Sequence, residues 1–205
     1  MDIKKLKQRV KTWHEGQTYR VFRDGKFVDD SYFDAHIIPV YETLLNAGAD
    51  ETLRCVGLTH DVVEDPNPDD FEDYILSLDD GVEIVDMTAD VTNVFTSQAY
   101  PKMIRKDRAR KEAERLSQIP MKSKCVKLAD MIVNLSNQLN ESKDDIEDKR
   151  WCRRYAHEKR EVFTKMNLNI EKSERSVDND RYTVFCVLYV QLQNLLREIY
   201  DKHGW

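Results

Sequence analysis

The chain has 205 residues, a length that suits one compact domain with a sizeable core. It carries 38 Asp and Glu against 32 Lys and Arg, a formal net charge of -6, so no overall positive field favours nucleic acid. No apolar run approaches the roughly 20 residues that cross a bilayer, and no apolar signal segment follows the first residues. We therefore expect a cytoplasmic protein that binds neither membranes nor nucleic acid. Its four dispersed cysteines are expected to be free thiols.

Apolar residues recur at helical spacing along most of the chain. Leu6, Val10 and Trp13 predict a first helix, and a turn-rich stretch is expected over 15–30. The best strand signal, at 82–85, is short. The pattern and its caps predict further helices over about 36–47, 51–64, 69–78, 80–93, 104–117, 121–140, 150–166 and 181–201.

Residues 60–65 read His-Asp-Val-Val-Glu-Asp and end a predicted core-facing helix. Residues four apart share one face of a helix, which pairs His60 with Glu64 and Asp61 with Asp65. An exposed acidic helix end is the alternative interpretation. Three carboxylates at a helix C-terminus oppose the helix dipole unless a cation is bound among them, which favours a metal site.

The apolar helix predicted over 121–140 carries a polar stripe of Lys127, Asp130 and Asn134. A buried carboxylate needs a cation or strong hydrogen-bond donors. Asp130 is therefore predicted to be a metal ligand or, alternatively, the partner of Lys127 in a local ion pair.

His36, near the start of another predicted helix, adds a second imidazole. With His60, Asp61 and Asp130 it makes two imidazoles and two carboxylates, a set that suits a divalent transition ion such as manganese. Such an ion lowers the pKa of bound water and polarises a phosphoryl oxygen. These residues therefore predict a divalent-metal site with positions left for water.

The four residues match the H…HD…D pattern of the HD-domain metal-dependent phosphohydrolases. The segments 60–65 and 127–135, together with His14-Glu15-Gly16-Gln17, resemble more narrowly the hydrolase domain of the RelA/SpoT family, above all its small alarmone hydrolases. The resemblance covers about residues 5–140. It implies an all-α fold, an HD-domain helical bundle over 1–140. Residues 141–205 match no known family and are predicted from their apolar pattern to form a C-terminal helical extension packed on the same domain.

The resemblance also implies an activity, the hydrolysis of the 3′-pyrophosphate of ppGpp or pppGpp to GDP or GTP with one manganese ion. The ligands would be His36, His60, Asp61 and Asp130. Glu64 and Asp65 match the pair that positions or activates the attacking water. Asn134 matches a position that lines the nucleotide pocket, and Lys127 lies beside it, where it holds Asp130 or a phosphate.

Several features depart from the family pattern. The stretch between Gln17 and His36 is longer than the family's, and Tyr19 replaces a basic residue, so Arg20 is predicted to bind phosphate instead. A lysine that the family often carries near the base is absent from 87–91. The basic helix predicted over 104–117, with Arg108, either faces the polyphosphate or forms a solvated surface.

These departures leave the substrate open. The same ligands serve hydrolases of (p)ppApp, of NADPH at its 2′-phosphate, or of a deoxynucleotide. A non-catalytic module that binds an alarmone, or acts like an antitoxin, is a further alternative, which the intact ligand set disfavours. The apolar stripe of the last predicted helix covers the core or, alternatively, forms a homo-oligomer contact.

Overall fold

A computed structural model describes residues 2–24, 26–64, 66–140, 146–168 and 179–204 of the chain. Over these residues the fold is all-α, as predicted, apart from one small sheet. The α-helices are α1 (Ile3–Trp13), α2 (Ile38–Asn46), α3 (Glu51–Thr59), α4 (Phe71–Leu76), α5 (Gly81–Val91), α6 (Arg105–Leu116), α7 (Met121–Asn140), α8 (Ile146–Leu168) and α9 (Asn179–His203). Within the part described, no helix combines the length and the apolar character that would let it span a membrane.

The break between α2 and α3 follows the predicted capping chemistry. Gly48 has a φ of 82°, the left-handed conformation that commonly ends a helix. The Asp50 side chain accepts a hydrogen bond of 2.8 Å from the backbone N–H of Leu53, which caps the first turn of α3. However, α3 ends at Thr59, and 60–64 form turns, so the helix predicted over 51–64 is too long.

The turn-rich loop predicted over 15–30 is wrong, because this stretch contains an antiparallel hairpin. Its strands are β1 (Thr18–Arg23) and β2 (Lys26–Ser31), with Val21 opposite Val28. Isolated two-stranded hairpins are marginal in water. Here β1 packs against α7, and both strands pack against the segment before α2, so the hairpin depends on tertiary contacts that strand periodicity does not reveal.

The helix predicted over 80–93 is confirmed as α5, and the short strand signal at 82–85 inside it forms no strand. Ile84, Met87 and Val91 are buried at helical spacing. Burial at this period favours a helix and outweighs the strand preference of the β-branched residues in the segment.

Helix α7 occupies the centre of the protein. It packs against α2, α3, α5 and α9, and its Leu128, Met131 and Leu135 are fully buried. The apolar stripe of α9, with Leu188 and Leu192, is buried in the same core cluster, while α8 packs mainly on α6. On its inner face this helix also buries the polar residues Lys127 and Asp130. The division of the chain into 1–140 and 141–205 stays a prediction.

Candidate metal centre

The four predicted ligands meet at one place in the fold. His36 lies in a short π-helical segment (Phe33–Ile37) that leads into α2, His60 and Asp61 follow α3, and Asp130 lies on α7. The two imidazole Nε2 atoms are 3.2 Å apart. Oδ2 of Asp61 is 3.2 Å from Nε2 of His36 and 3.0 Å from Nε2 of His60. Oδ1 of Asp130 is 3.5 Å and 4.0 Å from the same two atoms, respectively. Three chain segments thus supply one buried cluster of donor atoms.

This donor set fits a divalent transition ion. Imidazole nitrogens and carboxylate oxygens bind such ions at about 2.0–2.2 Å, which places neighbouring ligand atoms roughly 3–4 Å apart. The side chains of Asp61 and Asp130 are only 13% and 6% exposed, so two carboxylates with little access to water face the same pair of imidazoles. Ligand atoms of His36, His60 and Asp130 all lie within 4.8 Å of one another. A cation between them offsets the cost of burying both charges.

A hydrogen bond to the second ring nitrogen orients one ligand. Nδ1 of His60 donates to the carbonyl oxygen of Gly57 at 2.9 Å. Because Nδ1 carries the proton of this bond, Nε2 is the ring nitrogen that faces the cluster, where it can bind either a proton or a metal ion.

The electrostatics of the cluster favour anionic carboxylates. Burial raises the pKa of Asp61, but the imidazoles of His60 and His36 oppose it and hold that pKa well below its usual range. Burial likewise opposes ionisation of Asp130, yet Lys127 and Lys159 lower its pKa to about 2. Burial lowers the pKa of His60, whereas the charge and hydrogen bond of Asp61 raise it to about 9. The site therefore attracts positive charge at neutral pH.

Asp130 uses its two oxygens differently. Oδ2 forms an ion pair of 3.0 Å with Nζ of the buried Lys127. Oδ1 faces the imidazoles and accepts a hydrogen bond of 2.5 Å from Nδ2 of Asn134. The two sequence interpretations of Asp130, ion-pair partner and metal ligand, are therefore compatible in one geometry.

Two tyrosines that the sequence did not assign to the site complete its wall. The Tyr19 ring stacks on His36, with centroids 5.0 Å apart. The Tyr32 hydroxyl donates to Oδ2 of Asp61 at 2.6 Å, and its ring stacks on His14. The departure from the family pattern at Tyr19 was the one feature of the sequence that could have indicated a tyrosine at the site.

The predicted water-activating pair is only partly described. Glu64 is exposed, and its carboxylate accepts hydrogen bonds from the Asn93 side chain at 2.9 Å and from the Asn93 backbone N–H at 3.1 Å. Because α3 ends at Thr59, Glu64 does not stack beside His60 on a helix as the sequence predicted. Asp65 lies outside the described residues. The catalytic role of the pair stays a prediction.

Two predicted phosphate-binding arginines contact other groups. Arg20 is exposed, and its guanidinium lies 4.3 Å from the centroid of the Phe27 ring. Adjacent strand residues point to opposite faces, so Arg20 points away from the face on which Tyr19 contacts His36. Arg108 donates to the backbone carbonyl of Met103. In this arrangement neither side chain is directed at the ligand cluster.

The fold and the buried His and Asp cluster define a helical protein with a divalent-metal site. The HD domain model matches residues 33–135, a range that holds all four predicted ligands and about half of the chain. The chain therefore belongs to the HD-domain family, the family of metal-dependent phosphohydrolases that its motifs resemble.

Solved structures include similar folds. One belongs to a metazoan ortholog of SpoT that hydrolyzes ppGpp and plays a role in starvation responses. It has a TM-score of 0.65 and 20% sequence identity, covering 95% of this chain and 93% of that one. A Listeria monocytogenes EGD-e protein, solved at 1.85 Å resolution, has a TM-score of 0.47 and 21% identity over 75% of this chain and 93% of its own. No curated protein sequence matches significantly.

Proposed function

We propose that this HD-domain protein is a manganese-dependent hydrolase that removes the 3′-pyrophosphate of ppGpp or pppGpp. The observation that carries the proposal is the convergence of His36, His60, Asp61 and Asp130 from three chain segments into one cluster. The RelA/SpoT-like segments at 60–65 and 127–135 support the alarmone as substrate. The fold shared with the ppGpp-hydrolysing SpoT ortholog is consistent with it.

In this proposal, water attacks the phosphorus that is bonded to the 3′-oxygen. The P–O3′ bond breaks, the 3′-oxygen takes a proton, and pyrophosphate leaves together with GDP or GTP. His36, His60, Asp61 and Asp130 would hold a manganese ion, which would lower the pKa of a water and polarise a phosphoryl oxygen. Glu64 and Asp65 are proposed to orient that water and to transfer its proton, which requires Glu64 to exchange its contact with Asn93 for one with water.

The residues around the ligands keep the cluster in shape. Lys127 and Asn134 hold the two oxygens of Asp130, and Tyr32 holds Asp61. Hydrogen bonds of this kind fix the orientation of metal ligands and commonly change metal affinity or activity 10–100-fold when they are lost. The predicted cytoplasmic location and homo-oligomer contact do not enter this argument and stay predictions.

The test is a turnover screen of the purified protein with manganese. The panel holds ppGpp, pppGpp, ppApp, NADPH and several dNTPs, and Asp61→Ala is the control. We expect GDP and pyrophosphate from ppGpp, lost in Asp61→Ala. Preference for ppApp, NADPH or a dNTP would support the proposed catalytic site but contradict the proposed substrate. Absence of turnover with manganese bound would refute the enzyme and favour the binding module.

A further inference from the structure

Positive and negative charge are divided unevenly along the chain. Residues 55–101 contain 12 Asp and Glu and no Lys or Arg, whereas residues 102–111 contain six Lys and Arg and one Asp. Only Asp61, Glu64 and Asp65 of the acidic stretch belong to the predicted site. Most of this segregated charge therefore has no part in the chemistry proposed above.

The basic end of this division surrounds an apolar groove. The groove has a volume of about 700 Å³ and is lined by Tyr100, Met103 and Ile104, of which Ile104 is 65% exposed. Lys102 also lines it, and Lys106 follows in the first turn of α6. Both lysines are exposed, and neither forms an ion pair with a residue that the structure describes. We call Tyr100, Lys102, Ile104 and Lys106 the basic patch.

Hydrogen bonds hold the groove in shape. The backbone N–H of Tyr100 donates to the Thr96 carbonyl at 3.0 Å, and that of Met103 donates to the Tyr100 carbonyl at 3.1 Å. Arg108 donates to the carbonyl of Met103. A preformed groove loses little conformational entropy when a partner fills it, so this surface is suited to binding.

The acidic stretch presents a second surface with exposed apolar side chains. Leu76 at the end of α4 is 51% exposed, and Val82 at the start of α5 is 65% exposed. A Cβ atom placed on Gly81 would lie 2.9 Å from the Cα atom of Leu76, so the two helix ends are in close contact. Glu72 and Asp73 lie one turn before Leu76 on the same side of α4. Both are exposed and form no ion pair within the described chain.

We call Glu72, Asp73, Leu76 and Val82 the acidic patch. It matches the basic patch, because the two have opposite charge and each exposes large apolar side chains. Exposed apolar groups with a charged rim commonly mark protein–protein contacts. Nucleic acid or an anionic membrane would match the basic patch in charge, but the acidic patch would repel either one and would keep its apolar groups in water. A second copy of the chain satisfies both patches.

We propose that the basic patch of one copy of this chain binds the acidic patch of a second copy. Two copies related by a two-fold axis make this contact twice. Both patches are exposed, so they do not cover each other within one copy. The proposal places the homo-oligomer contact away from the apolar stripe of α9, whose Leu188 and Leu192 are buried in the core. It does not depend on nucleotide hydrolysis.

The test measures self-association of the full chain by analytical ultracentrifugation at low and at high salt. One variant, Lys102→Glu with Lys106→Glu, reverses the basic patch. A second variant, Glu72→Lys with Asp73→Lys, reverses the acidic patch. Thermal melting verifies that each variant is folded.

Two controls separate this contact from other effects. Lys4→Glu with Lys26→Glu changes the net charge as the first variant does, at exposed lysines outside both patches. Val190→Ser, at a residue of α9 that is 53% exposed, is compared with Ile104→Ser in the basic patch.

We expect a dimer that weakens with salt, because exposed charge pairs are screened. Each reversed variant should raise the dimer dissociation constant about 10- to 100-fold at low salt, since repulsion replaces attraction in both contacts. An equimolar mixture of the two reversed variants should associate again, because each patch then meets its opposite. Ile104→Ser should weaken the dimer, and both controls should behave as wild type.

A monomeric wild type, or a dimer that both folded reversed variants retain, would overturn the proposal. Loss of association in both variants without recovery in their mixture would overturn the pairing of these two patches. Dissociation by Val190→Ser but not by Ile104→Ser would place the contact on α9. A monomeric wild type that binds phosphatidylserine vesicles or single-stranded RNA through Lys102 and Lys106 would assign the basic patch to that partner instead.

Discussion

The hydroxyl of Tyr19 donates a hydrogen bond of 2.7 Å to the side-chain oxygen of Asn134, 115 positions further along the chain. Asn134 in turn donates to Oδ1 of Asp130, so the hairpin is connected to a predicted metal ligand on α7. The Tyr19 ring also stacks on His36. A neutral residue that replaces a family cation thus links two of the four predicted ligands.

We predict that Tyr19→Phe will weaken manganese binding about tenfold, the lower end of the range for groups that orient ligands. The phenyl ring still stacks on His36, but Asn134 loses the hydrogen bond that orients it. Tyr19→Leu should cost more, because the stacking is lost as well. Calorimetric titration with manganese measures both, and Tyr100→Phe, at a residue 37% exposed, is the control. Unchanged affinity in Tyr19→Phe would show that the link does not orient Asp130.

Manganese should stabilise the folded protein through the four-residue cluster. A ligand that binds only the folded state adds about 2.7 kcal/mol at 100 times its Kd. We expect the melting temperature to rise with manganese and to return to its starting value with a chelator. Asp61→Ala should abolish this shift, and Asp69→Ala, at an exposed position, should retain it. An equal shift in Asp61→Ala would place the bound ion elsewhere.

Replacing Lys127 by Met should destabilise the metal-free protein by about 3–5 kcal/mol, because it leaves the buried Asp130 carboxylate without its ion-pair partner. Measured over the whole residue, Lys127 is 3% exposed and Asp130 is 4% exposed. Urea unfolding measures the loss, and manganese should recover part of it by offsetting the same carboxylate. The comparison variant is Lys5→Met, whose solvent-exposed pair with Asp2 should contribute far less to stability. Equal effects of both substitutions would contradict the buried pairing.

Glu64→Ala should lower kcat by about 10²–10⁴-fold, the usual contribution of a general acid or base, while manganese binding persists. Stopped-flow or steady-state hydrolysis of the preferred nucleotide measures kcat, and calorimetry measures the metal. Asn93→Ala frees the same carboxylate without removing it and should keep most of the activity. Full activity in Glu64→Ala would exclude Glu64 from proton transfer.

Glu112 holds the loop that carries Asn93. Its carboxylate accepts from the backbone N–H groups of Val94 and Phe95 at 3.2 Å and 3.1 Å and pairs with Arg115. Glu112→Ala should cost about 3 kcal/mol in free energy of unfolding, since it leaves Arg115 partly buried without its carboxylate. Chemical denaturation measures this, and Glu114→Ala, on the same helix with a side chain 59% exposed, should cost far less. A loss below 1 kcal/mol in Glu112→Ala would contradict this role.

Much of the helical fold could be predicted from local sequence. Helix α7 was predicted over 121–140 and runs from Met121 to Asn140, because its apolar period is unbroken and Pro120 precedes it. A buried carboxylate requires a cation or strong hydrogen-bond donors, so the polar stripe of this helix was enough to predict a cation beside Asp130. The four ligands were therefore named from spacing, charge and family pattern.

Contacts between distant segments were decided only by tertiary structure. The hairpin has little stability alone, so neither its strands nor the position of Tyr19 followed from local propensity. Because α3 ends at Thr59, Glu64 does not lie on the helix face, beside His60, that the sequence predicted for it. Local spacing was enough to name the candidate site residues. Which of them lie in contact depends on long-range packing, because the energy of that packing exists only once the core has assembled.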